Sequence, residues 1–516
     1  MRHNHTFITL FLIAALSSST AAQDESSDVK PARELAPAKA ASQPKVVVSP
    51  ELLRERSEYA ALDKQAVEAL ARAAGARWPG EFSGFTYQRV ERFSAGGVSH
   101  WISIWSHGKT GLEFVLVPGG RFQMGSPAGE ANRKEDEVQH WVSLDPFLIA
   151  RTECTQAAWA RLAKAAGLDG DTFDGAAQRP KAGMSPESVE AWCRQAHLTL
   201  PTEAQWEFMC RAGTTSTWAM GDNKIDLQRI ANLGSAECPQ DWIAMSGITE
   251  PWHDGYGIDT APVGMFAANG FGLFDVHGNV CEWTRDPYLS YEVPVESGTG
   301  RRPGISGERI ARGGNGGGDA GFARSAGRFH CGPGISPGAN HGFGFRPALD
   351  LPFPVSLEGW PSETFALPPG FAPDLPSGLE SLRFAPGWRD PSTEDFWSYA
   401  IVMWIDEPAP DAARVSELLE VYYDGLMSAF ASSAGKDIGS DPAQVELVRS
   451  APNHFEAEMH VIDAFATFEA IDLRVLVDTV AETDERTVLR IRLSPQPEEH
   501  EIWRSLETAI ASIRKP

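Results

Sequence analysis

The sequence predicts an α+β fold, because strand-like and helix-like patterns alternate along one chain of 516 residues. Residues 84–122 alternate apolar and polar side chains, as half-buried strands do. Two helical segments with capping signals follow, at Thr155–Ala166 and Ser185–His197, within a stretch that is dense in glycine, tryptophan and turn residues. Strand and helix patterns alternate again near the C-terminus. A chain of this length favours two or three domains.

The N-terminal residues predict export. Met1–Ala22 combines Arg2 and His3 with a short apolar core and a small-residue end, which is typical of a cleaved secretory signal peptide. We therefore expect residues 1–22 to be removed and the protein to be secreted or periplasmic. Residues 23–50 are rich in Ala, Pro, Lys, Ser and Glu and predict a disordered linker. No later segment is apolar for about 18 residues, so no membrane span is expected.

Residues 51–110 predict a helix followed by strands that pack on the core domain. Apolar residues recur at helical spacing from Glu51 to about Ala74, and Gly75 is expected to end the helix. This helix either packs on the neighbouring domain, which we favour, or pairs with a partner. Within the strand-like stretch 84–122, the turn Pro118–Gly120 predicts a hairpin between the segments before and after it.

The rest of the chain divides into a core domain at 111–351, a Pro-rich linker at 352–376 and a small α+β domain at 377–516. In this last domain antiparallel strands are expected under two helices, Asp411–Ser432 and Pro497–Arg514. Its acidic residues outnumber its basic ones, and the whole chain carries a formal charge of −24. Nucleic acid and anionic membranes are therefore poor partners. A peptide, protein or glycan ligand is the remaining expectation.

Five groups of residues, in order, carry a family resemblance. They are F-V-L-V-P-G-G-R-F-Q-M-G-S at Phe114–Ser126, L-P-T-E-A-Q-W-E-F with R-A-G from Leu200 to Gly213, A-N-L at Ala231–Leu233 with D-G-Y…T-A-P-V-G-M-F from Asp254, N-G-F-G-L-F-D-V-H-G-N-V-C-E-W at Asn269–Trp283, and R-G-G with G-F-G-F-R from Arg312 to Arg346. Together they resemble the formylglycine-generating enzyme, or sulfatase-modifying factor, family. The resemblance implies an irregular C-type-lectin-like domain.

The resemblance also implies two calcium sites, since calcium prefers carboxylate, amide and backbone carbonyl oxygens. One site would use Asn232, the carbonyl of Leu233, Asp254 and the carbonyl of Tyr256. The second would use Asp275, the carbonyls of Gly278 and Val280, and Glu282. Asp275 stands where the family has asparagine. The alternative is that the three acids cap turns or pair with arginines.

The resemblance weakens at the site of oxidation. Active members are expected to hold copper with two thiolates that follow the R-G-G-S strand. Here the run Arg312–Arg328 contains no cysteine, Asn315 replaces the serine, and Cys281 replaces a tryptophan of the G-N-x-W-E-W corner. Copper is therefore not expected. We expect a diverged, non-catalytic member that binds a partner or acts as a scaffold, with a pocket under Asn315, Cys281 and Arg328.

An alternative is an oxidoreductase that modifies a substrate thiol through Cys281 or Cys331 with another metal. His277 and His330 would then supply further ligands. The six cysteines of an exported chain also allow full disulfide pairing. By resemblance, Cys193 and Cys210 look like cysteines that bridge to the domain's end, but Pro347 and Ser325 stand at the partner positions. Cys331 is then a candidate partner of Cys210.

Overall fold

The structure, a computed structural model, describes residues 49–54, 56–168, 176–293, 295–331, 342–353, 357–436, 442–451, 453–498 and 500–515. The predicted signal peptide at 1–22 and nearly all of the predicted linker at 23–50 lie outside these residues. Both helices and strands are present, so the predicted α+β class is confirmed. No helix among the described residues combines the length and the apolar character needed to cross a membrane.

The N-terminal segment forms separate short helices. A 3₁₀ turn, Pro50–Leu53, precedes α1 (Arg56–Ala60) and α2 (Lys64–Arg77). The single helix predicted from Glu51 to about Ala74 is therefore wrong, because the Asp63 side chain caps a new helix by accepting from Ala66 N at 2.8 Å. Gly75 lies inside α2. The buried face of α2 packs on β1 (Phe85–Ala95) and β2 (Val98–His107).

Two sheets begin the central domain. β1, β2, β3 (Glu113–Val117), β6 (Phe147–Ala150) and β13 (Ala348–Asp350) form one sheet in that order, and β4 (Gly120–Met124) pairs with β5 (His140–Leu144). The hairpin predicted at Pro118–Gly120 is therefore wrong. Gly119 N donates to Leu53 O at 2.7 Å, and the chain passes from one sheet to the other. Turn residues signalled the bend, but they do not specify which strands pair.

Short elements fill the middle of the central domain. Its helices are α3 (Gln156–Leu162), α4 (Pro186–Ala196), α5 (Glu203–Arg211) and α6 (Gln240–Ser246). Its short strands are β7 (Ala231–Asn232), β8 (His277–Gly278), β9 (Cys281–Pro287), β10 (Arg309–Arg312), β11 (Phe329–Cys331) and β12 (Phe343–Gly344). The strands β11-β10-β9-β12 form one sheet in that order, and β7 pairs with β8. The predicted helices at Thr155 and Ser185 are present, each with that residue as N-cap.

The C-terminal part is a seven-stranded antiparallel sheet with two helices. Its strands are β14 (Ser362–Leu367), β15 (Gly378–Phe384), β16 (Tyr399–Ile405), β17 (Gln444–Ala451), β18 (His454–Ile462), β19 (Ala470–Thr483) and β20 (Arg486–Ser494). They run in the order β14-β15-β16-β20-β19-β18-β17, with α7 (Ala412–Ser433) and α8 (Ile502–Ser512). β14 lies within the stretch predicted as a linker at 352–376, which corrects that boundary. Prolines on both sides hid this strand, and a sheet edge tolerates them.

Helix α8 of the C-terminal part contacts the central domain through buried charged side chains. Arg504 forms an ion pair with Asp145, and Arg121 contacts Glu507 at 3.2 Å; both arginine side chains are 3% exposed. The guanidinium of Arg121 also lies over the Trp503 ring, 5.9 Å from its centre. Val48–Pro516 accordingly form one compact unit.

Candidate functional site

Asn315 and Cys281 lie together, as the sequence predicted. The amide Nδ2 of Asn315 donates to the sulfur of Cys281 at 3.7 Å. The side-chain oxygen of Asn315 accepts from Gly317 N at 3.0 Å, which fixes the orientation of the amide. Cys281 begins β9, and its own amide donates to Gly342 O at 2.7 Å. A polar amide therefore covers a thiol at the start of the glycine-rich run.

The thiols of both candidate residues, Cys281 and Cys331, are buried and protonated. Burial raises the pKa of the Cys281 thiol far above its usual range, more than its hydrogen bond from Asn315 lowers it. Burial likewise raises the pKa of Cys331 to about 11. The thiolate is the form of cysteine that attacks substrates and binds metals. At neutral pH neither thiol is prepared for that chemistry.

Arg328 lies outside this site, which corrects the predicted pocket. Its guanidinium donates to Glu203, with Nε at 2.8 Å from Oε1, and also to Leu289 O at 2.9 Å. Arg312 binds the same Glu203 oxygen through Nη2 at 2.9 Å. All three side chains are almost fully buried. The glycines between Asn315 and Arg328 turn the chain, so spacing along the run does not place the two side chains together.

Helix α5 organises this ion network. Thr202 is its N-cap, and the backbone amide of Thr202 in turn donates to Gln205 Oε1 at 2.9 Å, which completes a capping box. Glu203 and Glu207 then project from consecutive turns. Glu207 contacts Arg312 at 3.1 Å and Arg211 at 2.9 Å. The phenol of Tyr291 accepts a further hydrogen bond from Arg312 at 2.8 Å. The network ties α5 to β10 and to the loop that precedes β11.

The histidines proposed as alternative metal ligands serve other roles. His277 Nδ1 donates to Ala323 O at 2.7 Å, and its Nε2 accepts from Ala219 N at 3.0 Å. Burial lowers the pKa of His277 to about 4, so the ring is neutral and both nitrogens are occupied. His330 pairs with Glu308 at 2.9 Å. The suggested ligand set with Cys281 is therefore wrong.

All six cysteines are free and buried. The suggested bridge between Cys331 and Cys210 is wrong, because Cys210 Sγ lies 3.8 Å from Ser325 Oγ. This contact does place Ser325 opposite Cys210, as the resemblance implied. The cysteines pack as small apolar side chains in the core, which spacing alone does not reveal.

In the first predicted calcium set, one side-chain oxygen has no hydrogen-bond partner among the described residues, and the one carboxylate already accepts several hydrogen bonds. Asn232 is fully buried, and its Oδ1 has no hydrogen-bond partner among the described residues. Asp254 instead accepts four hydrogen bonds, from Leu233 N, Tyr256 N, Gly257 N and the Ser235 hydroxyl, at 2.9 to 3.2 Å. Leu233 and Tyr256 thus donate to Asp254 through their amides, and that carboxylate caps a turn.

The second predicted calcium set also contains a carboxylate whose oxygens are bound by other side chains. Asp275 is 2% exposed; its Oδ2 accepts from Gly264 N at 2.6 Å, and its carboxyl group lies within hydrogen-bonding reach of Glu153. Both oxygens of Glu282 are bound by Arg346, and Oε2 also accepts from Trp206 Nε1 at 2.8 Å. Gly278 has a φ of +82°, and an added side-chain carbon would lie 2.1 Å from Asn232 O. Gly278 and Val280 lie on the turn between Asp275 and Glu282.

Sequence reasoning missed two buried residues beside Asp275. Glu153 is fully buried in the segment after β6; Asn279 Nδ2 donates to its Oε1 at 3.0 Å, and burial raises its pKa well above the usual range, so its protonated carboxyl can donate to Asp275. Asn279 Oδ1 accepts from Asn232 Nδ2 at 3.2 Å. Asn279 therefore connects the two predicted calcium sets. In the sequence, the position of Asn279 in the G-N turn was a sign that it could be important, whereas no motif marked Glu153.

Trp242 is a further neighbour of the glycine run that sequence reasoning missed. A side-chain carbon added at Gly317 would lie 3.0 Å from the Trp242 ring, so the indole packs directly on the backbone there. Its Nε1 has no hydrogen-bond partner among the described residues. The indole N–H beside the Asn315 loop is therefore a buried donor that the described residues leave unsatisfied.

Residues 105–351 match the family described as the Sulfatase-modifying factor enzyme 1-like domain. The central domain belongs to the formylglycine-generating enzyme family. The chain is 36% identical over 151 residues to the formylglycine-generating enzyme of Mycobacterium tuberculosis, and this match covers 27% of the chain and 47% of that enzyme. The chain thus spans less than half the length of that curated relative.

Two other proteins are similar to part of this chain. A Bos taurus protein named inactive C-alpha-formylglycine-generating enzyme 2 is 26% identical over 238 residues, which covers 36% of this chain and 74% of that protein. The solved structure of PvdO from Pseudomonas aeruginosa is 26% identical, with a TM-score of 0.40, and covers 48% of this chain and 98% of that one. The domain is therefore similar both to a protein named as the enzyme and to one named as an inactive enzyme.

Proposed function

We propose that this protein is an exported, calcium-stabilised member of the family that binds a peptide, protein or glycan and does not form formylglycine. Export follows from the signal-like residues 1–22. The acidic C-terminal domain, fixed to the family domain through Arg504 and Asp145, would present a second surface to a partner. Copper has no part in this proposal.

The observation that carries the proposal is the arrangement of thiols at the candidate site. Copper binding of the family's kind needs two thiolates that meet at one point. Cys281 begins β9 and Cys331 ends β11, with β10 between them. Cys331 pairs with Arg309, which lies opposite Pro287 at the far end of β9, whereas Cys281 stands next to Glu282, which pairs with Arg312, so the two cysteines are offset along the strands as well as separated by β10. Both thiols also have raised pKa values, which disfavours the thiolate.

Binding is supported by the groups that line the glycine run. Asn315 presents an oriented amide, and Trp242 presents an indole N–H without a partner among the described residues. An aromatic face beside polar donors is a common way to recognise peptides and sugars. The same groups make no provision for activating oxygen. The site is thus equipped for recognition.

The two predicted calcium sets do not suit the ion equally well. The buried Oδ1 of Asn232, which has no partner among the described residues, and the buried carboxyl group of Asp275 are the kind of ligand that calcium prefers. No group of three or more His, Cys, Asp or Glu side chains arranged for a metal occurs in the part of the chain that the structure describes. Calcium would therefore need carbonyl oxygens as well, and by resemblance those of Leu233, Tyr256, Gly278 and Val280 would serve. When bound, the ion would fix these loops.

The oxidase test uses the purified protein, Cu(I), oxygen and a cysteine-containing peptide. We expect no aldehyde product by mass spectrometry, with the Mycobacterium tuberculosis enzyme as the positive control. Aldehyde formation that Cys281→Ser abolishes would establish the rival oxidoreductase and overturn the proposal. Metal analysis of the same protein should show calcium and no stoichiometric copper or iron.

The binding test uses peptide and glycan arrays. Wild-type protein should give reproducible signals that Trp242→Ala and Asn315→Ala lose, and melting curves of the same samples should show that both variants are still folded at the temperature of the array experiment. Signals that survive both substitutions would place recognition elsewhere.

A further inference from the structure

One end of the C-terminal part carries half-buried aromatic rings from three separate segments. Trp388 lies in the loop between β15 and β16, and Phe430 lies in the last turn of α7. Phe465 and Phe468 lie in the loop between β18 and β19. The ring centre of Phe465 is 5.1 Å from that of Trp388 and 4.7 Å from that of Phe430. The three segments therefore meet at Phe465, and these four rings form what we call the aromatic patch.

Two positively charged side chains lie over the aromatic patch. The guanidinium carbon of Arg389 is 4.5 Å from the ring centre of Trp388 and 5.7 Å from that of Phe465. The ammonium nitrogen of Lys436 is 5.5 Å from the ring centre of Phe468. Both charged side chains are exposed, and neither forms a hydrogen bond or an ion pair with another described residue. The rings attract both charges, but they leave the N–H donors without acceptors.

The nearby acidic side chains do not neutralise these two charges. Glu363 acts on Arg389 only at a distance, since the two side chains form no ion pair. Asp390 follows Arg389 in the sequence, but its Oδ1 accepts from the Ser392 hydroxyl at 2.6 Å and from the Ser392 amide at 2.9 Å. A guanidinium presents a planar fork of donors that matches a carboxylate. In a chain with a formal charge of −24, the aromatic patch thus carries unmatched positive charge.

Backbone and ring contacts hold the aromatic patch in place. The carbonyl of Trp388 accepts from Trp397 N at 2.9 Å, and the Trp388 ring stacks on Phe384 with ring centres 4.4 Å apart. The buried carboxylate of Asp463 accepts from Phe465 N at 2.9 Å, which fixes the loop between β18 and β19. A ligand would therefore meet groups that are already ordered, and this lowers the entropic cost of binding.

We propose that the aromatic patch binds an acidic sugar, that is, a glycan residue whose ring carries one carboxylate. The apolar C–H face of the sugar ring would pack on the exposed parts of the aromatic rings. Its carboxylate would accept two hydrogen bonds from the Arg389 fork, and Lys436 would add a second positive charge. A neutral sugar would leave both cations unpaired. This inference specifies the second surface proposed above for the C-terminal domain.

The net negative charge of the protein opposes a short ligand of this kind only weakly. At physiological ionic strength, the field of an exposed charge is screened within about 8 Å. A short acidic oligosaccharide at the aromatic patch is therefore influenced mainly by Arg389 and Lys436. A long polyanion such as nucleic acid would extend beyond the patch and meet the acidic remainder of the surface.

The experiment is a calorimetric titration of the full-length protein with trigalacturonic acid, and with galactotriose as the neutral comparison. We expect the acidic trimer to bind with a Kd of about 1 mM or tighter and the neutral trimer to bind at least about tenfold more weakly. Arg389→Gln should weaken binding of the acidic trimer at least about tenfold. Arg490→Gln is the matched control, because it removes an exposed arginine of β20 outside the aromatic patch, and it should bind the trimer like the wild type.

Four results would overturn the inference or support it by a second route. It is wrong if the wild type does not bind the acidic trimer in this concentration range, if the neutral trimer binds equally well, or if Arg389→Gln binds as tightly as the wild type. Should melting curves show that Arg389→Gln is unfolded, Lys436→Gln takes its place: weaker binding supports the inference, and unchanged binding overturns it. The array signals that depend on Trp242 and Asn315 test the central domain, so either experiment can fail without the other.

Discussion

Glu203 offers the most direct test of how the family domain is held together. Its carboxylate is 1% exposed and binds Arg328 at 2.8 Å and Arg312 at 2.9 Å. Glu203→Gln keeps the shape of the side chain but removes its charge. Two buried guanidinium groups are then left short of negative charge, and breaking a buried pair in this way costs about 3–5 kcal/mol. We expect a loss of that size in the free energy of unfolding at pH 7.

The loss should depend on pH. Burial opposes ionisation of Glu203, but the fields of Arg312, Arg328 and Arg302 outweigh it and lower its pKa from 4.5 to about 2. A group whose pKa is lowered by folding stabilises the protein above its unfolded pKa and loses this effect as the pH falls toward its folded pKa. The pKa difference corresponds to about 3 kcal/mol at pH 7 and about 1 kcal/mol at pH 3.

Urea unfolding at pH 7 and pH 3 measures this difference. The gap between wild type and Glu203→Gln should shrink by about 2 kcal/mol at the lower pH. The control is Glu292→Gln, which removes an exposed carboxylate from a nearby loop and should change stability by less than about 0.5 kcal/mol. A gap of equal size at both pH values, or one below about 1 kcal/mol at pH 7, would show that the ionised network does not stabilise the domain.

Three further predictions follow from other buried groups. Because all six thiols are free and buried, a thiol reagent should label none of them in the native protein and all six in urea; rapid native labelling of Cys281 would contradict the assignment of its raised pKa. Burial raises the pKa of Glu380 from 4.5 to about 8, so stability should be full below pH 4.5 and fall as the pH rises toward 8; melting curves of Glu380→Gln should lack this decline. Arg504→Ala leaves Asp145 without its ion partner and should lower stability by about 3 kcal/mol or more, as measured by urea unfolding; no change would mean that α8 is not held by this pair.

Signals local to the chain predicted the elements well. Thr202 in the motif L-P-T-E-A-Q-W-E-F has the side chain and the position of an N-cap, and it does accept from Gln205 N at 3.0 Å. The acids Glu203 and Glu207 that follow it pair with arginines in the structure. Their partner Arg312 lies 109 and 105 positions further along the chain. Such pairing depends on how distant segments meet, and periodicity within one segment carries no information about it.

The candidate site was predicted in part for the same reason. Cys281 and Asn315 meet because β9 and the turn after β10 are neighbours, and the family motifs marked both. Arg328 follows a segment rich in glycine, whose backbone can turn in directions that other residues avoid. The position of Arg328 along the sequence therefore did not predict its contacts. Glu153 stood in no recognised motif. Its importance comes only from burial next to Asp275, which a sequence does not display.

The run Asn269–Trp283 carries the family resemblance because its polar residues build the scaffold. Asn269 binds the end of α5 through Met209 O at 2.7 Å and turns its own loop by accepting from Phe271 N. Asn279 joins Asn232 to Glu153, and Glu282 neutralises Arg346. None of these contacts needs a reaction to explain it. The motifs that identify the family are thus explained by contacts that hold the domain together, so their presence does not decide whether the domain carries out a reaction.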